Sequence, residues 1–407
     1  MRGSKPRLHF FGKHSRIAEP PRHTSTLPMK IVQLTTDNRE YSKNYAAAAP
    51  YFGTAPEALL EGFAQLPDVE VHVVCCLRAP VQSPVKLAPN IHYHSLLVPK
   101  SGWMSTFYQG CIRAVRQTLK ELDPDIVHGQ GTERDCAISA VYSGFPNVVT
   151  IHGNMAELQR LGLQGHRMFG ALAARLETHA LRRTEGVFCN SAYTDGLVKP
   201  RAKKTWGVPN PIRSAFFQPV AGTPNSDIPH FLNVGLVNPR KRQLEILQSL
   251  RKLKHAGYDF KIIFAGGLSE TSEYGKRFVE ELKAAEKEGF AEYAGFLDVR
   301  QMVELMDRCS GFIHFPTEEA FGLVVAEAMA RGLKFFGANL GGIRDIVQGI
   351  PSAETFDDFN GLETGIRNWL GTGAPRHPEV AAVIADRYHP QVIAQRHMEI
   401  YREVLNK

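Results

Sequence analysis

From Met29 onward the chain alternates short apolar runs with segments whose apolar residues recur every three or four positions. The runs Lys30 to Leu34 (KIVQL), Val69 to Leu77 (VEVHVVCCL), Asn90 to Leu96, Asp125 to His128, Asn147 to His152 (NVVTIH) and Gly186 to Asn190 (GVFCN) predict strands. Helical spacing covers Pro56 to Leu66, Ser105 to Leu122, Glu133 to Tyr142 and Met168 to Arg183. Strands apolar on both faces and separated by helices imply βαβ crossovers and a parallel sheet.

Six prolines between Pro200 and Pro229 interrupt this pattern, a density that suits a linker better than a regular element. The alternation then restarts, with strands over 231–237, 260–265, 291–296, 311–315 and 334–336 and helices over 243–255, 274–287, 299–309 and 321–331. The expected architecture is α/β, two Rossmann-like doubly wound parallel-sheet domains facing across a cleft. The expected N-terminal domain spans 29–205, the Pro-rich hinge 206–229 and the C-terminal domain 230–385. A terminal helix within 386–407 is expected to pack back towards the N-terminal domain. In open α/β sheets ligands bind beyond the carboxyl ends of the strands, so two such domains suit a reaction that joins two dissimilar substrates.

Composition changes this picture little until charge is located. The 407 residues are 43% apolar and 22% charged, which excludes a fibrous or wholly disordered chain. The net charge of +7 invites a polyanion-binding reading, but residues 1–28 hold six cations against the single Glu19. The remaining 379 residues carry only +2. The basic leader lacks the apolar core of a secretory signal, and its prolines spoil an amphipathic helix, so it reads as a disordered extension. No stretch approaches the ~18–20 consecutive apolar residues of a membrane span. Six cysteines without a Cys-x-x-Cys pair argue against a zinc module or a disulfide scaffold, and point to free thiols in the cytoplasm.

The sharpest chemical signal is Phe315 to Ala328 (FPTEEAFGLVVAEA), where a strand ends, a polar loop follows and a helix opens near Phe321. The amides of Phe321, Gly322 and Leu323 would be unpaired there, and the helix dipole favours an anion. Glu319 precedes the helix. Glu327 lies about six residues into the helix, roughly 9 Å along the axis, beyond reach of a phosphate at the helix start but able to accept from ligand hydroxyls. A first-turn Glu supporting the dipole and a solvated Glu further along would leave the same letters.

The Glu319-x7-Glu327 spacing in the context EAFGLVVAEAMARG resembles retaining glycosyltransferases of the GT-B fold, specifically glycosyltransferase family 4 (glycosyl transferases group 1). Further segments resemble the family in the same order: Asp125-Ile126-Val127-His128, Thr150-Ile151-His152-Gly153, Asn210-Pro211-Ile212, Val234-Gly235 with Pro239-Arg240-Lys241, and Gly341-Gly342-Ile343 with Asp345-Ile346-Val347. The resemblance implies a nucleotide-diphosphate sugar donor, a hydroxyl acceptor (glycan, lipid or small molecule, a lipid-linked acceptor or growing polysaccharide included), and a metal-independent front-face reaction with no cofactor. By the same resemblance Glu327 would hold the ribose, and Glu319 with the amides of Phe321 to Leu323 the donor sugar and distal phosphate. Gly235 and Arg240 would lie on the donor side, and Lys241 would neutralise the leaving diphosphate. His152 would reach the donor sugar from the other domain, although a His at a strand end also serves as a polar cap. Gly53 and Thr54 would mark the acceptor side.

Two departures stand out. Leu236 occupies the place of the family's second phosphate cation, with Arg240 and Arg242 as substitutes, and the family's paired glycines near the N-terminus are reduced to Gly53-Thr54. The helix Ser105 to Leu122 carries Ile112, Val115, Leu119 and Leu122 on one stripe with Arg113, Arg116 and Lys120 elsewhere. That arrangement fits core packing with a solvated face, or the weak peripheral membrane docking some relatives use. Two alternatives accompany the transferase reading: a GT-B nucleotide-sugar epimerase, and a basic nucleic-acid or membrane-surface binding protein. The near-neutral body and the absence of a nucleic-acid motif count against the second.

Overall fold

The structure, a computed structural model, describes residues 28–163, 167–220 and 228–406. The leader expected over 1–28 therefore lies, apart from Pro28, outside the described residues. The N-terminal sheet holds eight strands: β1 (Met29–Leu34), β2 (Val69–Leu77), β3 (Lys86–Ala88), β4 (Ile91–Leu97), β5 (Ile126–Gln130), β6 (Asn147–Ile151), β7 (Gly186–Cys189) and β8 (Thr205–Gly207). Their order is β3-β4-β2-β1-β5-β6-β7-β8, parallel throughout except for the antiparallel edge pair β3/β4. The C-terminal sheet holds β9 (His230–Val234), β10 (Lys261–Ala265), β11 (Ala291–Gly295), β12 (Gly311–His314), β13 (Lys334–Ala338) and β14 (Ala353–Phe356), all parallel, in the order β11-β10-β9-β12-β13-β14. This is the two-domain α/β architecture of GT-B proteins.

Alternation along each strand feeds two apolar layers per sheet. In β1 and β2, Ile31, Val71 and Val73 meet the helix Thr54–Phe63 and the terminal helix Pro390–Val404, while Val32 and Val74 meet the helix Gln109–Leu122 on the other face. In the second domain Leu232, Phe312 and Phe335 face one layer, and Phe231, Ile313 and Phe336 the other. Strands buried on both faces explain why most of them read as continuous apolar runs.

The helix expected from Ser105 begins at Gln109, because Phe107 and Tyr108 adopt φ of 52° and 61° and the Gly102 and Gly110 backbones are in near contact. Its stripe of Ile112, Val115 and Leu119 is buried in the core, and Arg113 and Arg116 are exposed. Up to residue 220, where its described part ends before resuming at 228, the Pro-rich segment holds regular structure. Thr205–Gly207 forms strand β8, Val208 packs into the first domain, and Ile212 and Phe216 are already in the core of the second. The chain thus passes from one core to the other between Val208 and Ile212, a narrower crossing than the hinge expected over 206–229. The chain returns between Tyr388, buried in the second domain, and Ile393, buried in the first, with Pro390 at the first turn of the terminal helix. The two crossings touch: the Ile212 amide donates to the Tyr388 carbonyl at 2.9 Å.

Candidate active site

Each sheet reverses its winding once, at β1/β5 and at β9/β12, and crevices open beyond the carboxyl ends of strands at such points. The two crevices share a cavity of about 800 Å³.

On the C-domain wall, β9 runs into the loop 235–242, where Asn238 Oδ1 accepts from the Lys241 amide at 3.1 Å and Arg242 ends the loop at φ 59°. That loop is tied to the one after β12, since the Thr317 amide donates to the Arg240 carbonyl at 2.8 Å. Lys241 Nζ then reaches Glu319 Oε2 at 2.5 Å, and the same oxygen accepts from His314 Nε2 at 2.9 Å. Burial would raise the Glu319 carboxyl, but the Lys241 ammonium and the His314 ring outweigh it and hold the group well below the usual carboxylate range. Burial also lowers His314, so the ring is neutral and donates. Gly322 caps the helix Leu323–Ala330 at φ 104°, a conformation that favours glycine. Lys241, Glu319, Phe321, Gly322 and Leu323 all line the cavity.

The glycines after β13 act on this loop. The Gly342 amide donates to the Glu319 carbonyl at 3.0 Å, and a Cβ at Gly342 would stand 2.4 Å from the Ala320 carbonyl oxygen. The other domain grips the same loop: Ser191 Oγ donates to the Ala320 carbonyl at 2.6 Å, and the Ala192 amide to Asp345 Oδ2 at 2.5 Å.

On the N-domain wall His152 follows β6 and donates from Nε2 to Gln130 Oε1 at 3.0 Å. Burial pushes it down to about 4 against an opposing hydrogen bond with Asn210, so the ring is neutral near pH 7. Gly53 and Thr54 open the helix Thr54–Phe63 and line the cavity as well.

Three expected donor-side residues do not line it. Gly235, at φ 154°, is packed against Gly266, where a Cβ would meet the Gly235 carbonyl oxygen at 2.2 Å. Arg240 is paired with Glu318 at 2.9 Å. Glu327 is buried behind the first helical turn and accepts from Arg213 at 3.3 Å; burial raises its carboxyl and Arg213 opposes that. Leu236 is exposed, and Arg242 lies over the Phe359 ring at 4.5 Å, so neither Arg240 nor Arg242 stands beside Lys241 in the cavity. Lys199, Arg201, Lys203 and Lys204 form a further basic stretch before β8, in which Arg201 pairs with Glu177 and Lys204 with Glu403.

The sequence reading passed over several cavity residues: Glu133, Arg78, Arg134 and Trp103. Their one available signal was that Arg78 directly follows the predicted strand Val69 to Leu77 and that Glu133 opens the helix predicted after the strand Asp125 to His128. It also gave no hint that Cys76, Cys111 and Asp135 come together, buried, with ligand atoms within 4.8 Å of one another. All six cysteines are free and buried. Among the described residues no helix is long and apolar enough to cross a membrane.

Two family descriptions match adjoining parts of the chain: Glycosyltransferase Family 4 over residues 57–214 and Glycosyl transferases group 1 over residues 217–349. Nothing among curated proteins matches its sequence significantly. Solved structures share its fold at low identity. Sucrose-phosphate synthase from Thermosynechococcus elongatus superposes with a TM-score of 0.72 at 16% identity, over 93% of this chain and 99% of its own. HepE from Anabaena, in complex with UDP, gives 0.66 at 17% over 92% and 100%. The lipopolysaccharide outer core galactosyltransferase WaaB gives 0.65 at 16% over 92% and 100%. The fold and the two matches define a GT-B glycosyltransferase. The chain belongs to the family 4/group 1 glycosyltransferases.

Proposed function

We propose that this glycosyltransferase moves a hexose, with retention of configuration, from a nucleotide-diphosphate sugar to a hydroxyl acceptor and needs no metal or other cofactor. The observation that carries this reading is the Lys241–Glu319 pair at the mouth of the Leu323–Ala330 helix, in the same cavity as the neutral His152. An arriving diphosphate competes with Glu319 for the Lys241 ammonium, while His314 keeps hold of the carboxylate. Glu319 is then free to accept from sugar hydroxyls. As the glycosidic bond breaks, charge grows on the diphosphate, where Lys241 and the helix amides stabilise it without reorganisation. The leaving diphosphate takes the acceptor proton on the same face. His152 meets the sugar hydroxyls without adding charge. Glu327 holds the ribose once Arg213 shifts.

UDP and UDP-glucose are the first donors to test, because similar HepE structures contain them. Six buried free thiols fit a cytoplasmic protein, and a glycan acceptor fits the likeness to the lipopolysaccharide galactosyltransferase. Calorimetry with UDP, ADP and GDP, followed by transfer assays in EDTA, tests the reading. Turnover persists in EDTA, and the product anomer, read by NMR, matches the donor. Lys241→Ala and Glu327→Ala each lower nucleotide affinity and kcat/KM at least tenfold, the loss roughly expected for one charge-assisted hydrogen bond. Parent-like behaviour in both variants would overturn the site, and an inverted anomer the mechanism.

A further inference from the structure

The N-domain wall holds a cationic cluster that sugar-nucleotide binding does not use. Glu40, on the short helix Asn38–Ser42, is fully buried and accepts from Lys43 Nζ at 2.7 Å, the Tyr45 hydroxyl at 2.8 Å and the Arg78 amide at 2.9 Å. The guanidinium of Arg78 lies 3.1 Å and that of Arg134 3.8 Å from the same carboxylate. Both guanidinium groups also stand over the Trp103 ring, at 4.5 and 4.9 Å from its centroid. The indole is itself buried and fixed by its Nε1–H on the Val98 carbonyl at 3.0 Å. Lys43, Arg78, Arg134 and Trp103 all line the cavity that holds Lys241 and Glu319.

Holding Glu40 requires one cation, and three converge on it. Burial would raise its carboxyl, yet the Lys43 ammonium, the Arg78 amide and the Tyr45 hydroxyl keep it below the ordinary range, so it counts as a single negative charge. Asp135, behind Arg134, is held up by burial; counted as fully ionised it still leaves one positive charge unmatched. Glu133, pushed up to about 7 by burial, is mostly protonated in mildly acid solution. An arginine has five donors in a planar fork, and stacking on an indole fixes that plane while leaving its edge free for an anion.

Resting on the transferase reading above, we propose that Arg78 and Arg134, stacked on Trp103, form an acceptor subsite for an anionic group, and that the acceptor is a hydroxyl compound bearing a phosphate or carboxylate. Two arginine forks suit bidentate capture of either group. His152, neutral near pH 7, places no such demand on the reacting hydroxyl end of the acceptor.

The test uses the purified full chain at pH 6.5. UDP binding is measured first, then glucose 6-phosphate, glucuronate and glucose are titrated into the UDP complex. The two anionic probes bind at least tenfold more tightly than glucose, and the gap narrows as salt rises. Arg78→Gln and Arg134→Gln each remove most of that advantage and leave UDP affinity at the parent value, which also shows that they fold. Arg134→Lys, keeping charge but losing the fork, retains part of it. Equal binding of the three probes overturns the proposal, as does discrimination that survives both glutamine variants. A fall in UDP affinity instead of probe affinity reassigns the arginines to the donor and overturns it as well. If the parent binds no nucleotide, the transferase reading fails by itself; glucose 6-phosphate against glucose on the free chain still decides whether the arginines bind an anion.

Discussion

At the scale of single residues the cavity contrasts two carboxyls, the half-buried Glu133 and the buried Glu319. Glu133 accepts from the Gly153 amide at 2.8 Å and forms no ion pair among the described residues, so burial pushes it up to about 7. Glu319, the more deeply buried of the two, is held down by Lys241 and His314. The signs for stability are opposite. A carboxyl raised above its ordinary 4.5 contributes stability that is complete below pH 4.5 and is lost as pH rises through about 7. A depressed one contributes stability present above pH 4.5 and lost only in more acid solution. Glu133 therefore governs the neutral range. Glu133→Gln keeps an acceptor for the Gly153 amide and removes the titration. Between pH 5 and 8 the parent is expected to lose about 1–2 kcal/mol of stability, allowing for partial exposure, and the variant to lose little of it. Scanning calorimetry at four or five pH values reads this directly, and parallel slopes for the two proteins would count against it.

At the scale of elements the site is two loops held by glycines. Gly342 has an ordinary φ of −71°, so its requirement is space alone: a Cβ would lie 2.4 Å from the Ala320 oxygen and 2.5 Å from Phe321 Cα. Gly342→Ala is expected to displace the Glu319–Phe321 loop, cost roughly 2 kcal/mol or more, and weaken UDP binding over tenfold. Gly196→Ala is the control, because a Cβ there meets nothing within 4 Å inside the helix Ala192–Val198, and it should be neutral or stabilising by about 0.5–1 kcal/mol. Denaturant unfolding together with calorimetry separates the two. This scale also shows what the sequence made legible. The parallel strands were readable because burial on both faces makes them unbroken apolar runs, and Lys241 and Glu319 because each lies in a short contiguous motif. Strands Thr205–Gly207 and Ala353–Phe356 were missed because short edge strands, covered on fewer sides, carry little apolar pattern. The start of the Gln109 helix was misplaced because two left-handed residues interrupt a spacing that otherwise looks continuous. Arg78, Trp103 and Arg134 could not be joined by spacing, since it is the sheet order β2-β1-β5 that brings β2 and the end of β5 to one wall.

At the scale of the whole molecule the cleft is spanned by two chain crossings, beside which the Ser214 amide donates to Glu61 Oε2 at 2.7 Å, and by a contact on the far side. The crossings near Pro209–Pro211 and Pro390 are bonded to each other through Ile212 and Tyr388, so they act as one hinge rather than two. The terminal helix anchors that hinge in the first domain: Gln33 Nε2 donates to the Tyr401 hydroxyl at 2.9 Å, and His128 Nδ1 meets the same oxygen at 2.5 Å. Across the cleft, Ser191 and Ala192 hold the Glu319–Phe321 loop and Asp345. A domain held by a narrow hinge on one side and by two hydrogen bonds on the other should open when the bonds are cut and stay folded. Asp345→Ala removes one of them without touching the cap that Ser191 provides to its own helix. The expected outcome is a larger radius of gyration by small-angle scattering in the absence of nucleotide, recovered on saturation with UDP. The donor KM should rise several-fold while kcat changes little, because binding must then supply the closure that the contact supplied before. The melting temperature should shift by no more than a few degrees, since an interdomain bond at a solvent-facing edge contributes about 1 kcal/mol. Unchanged scattering together with an unchanged KM would mean that the hinge alone sets the cleft.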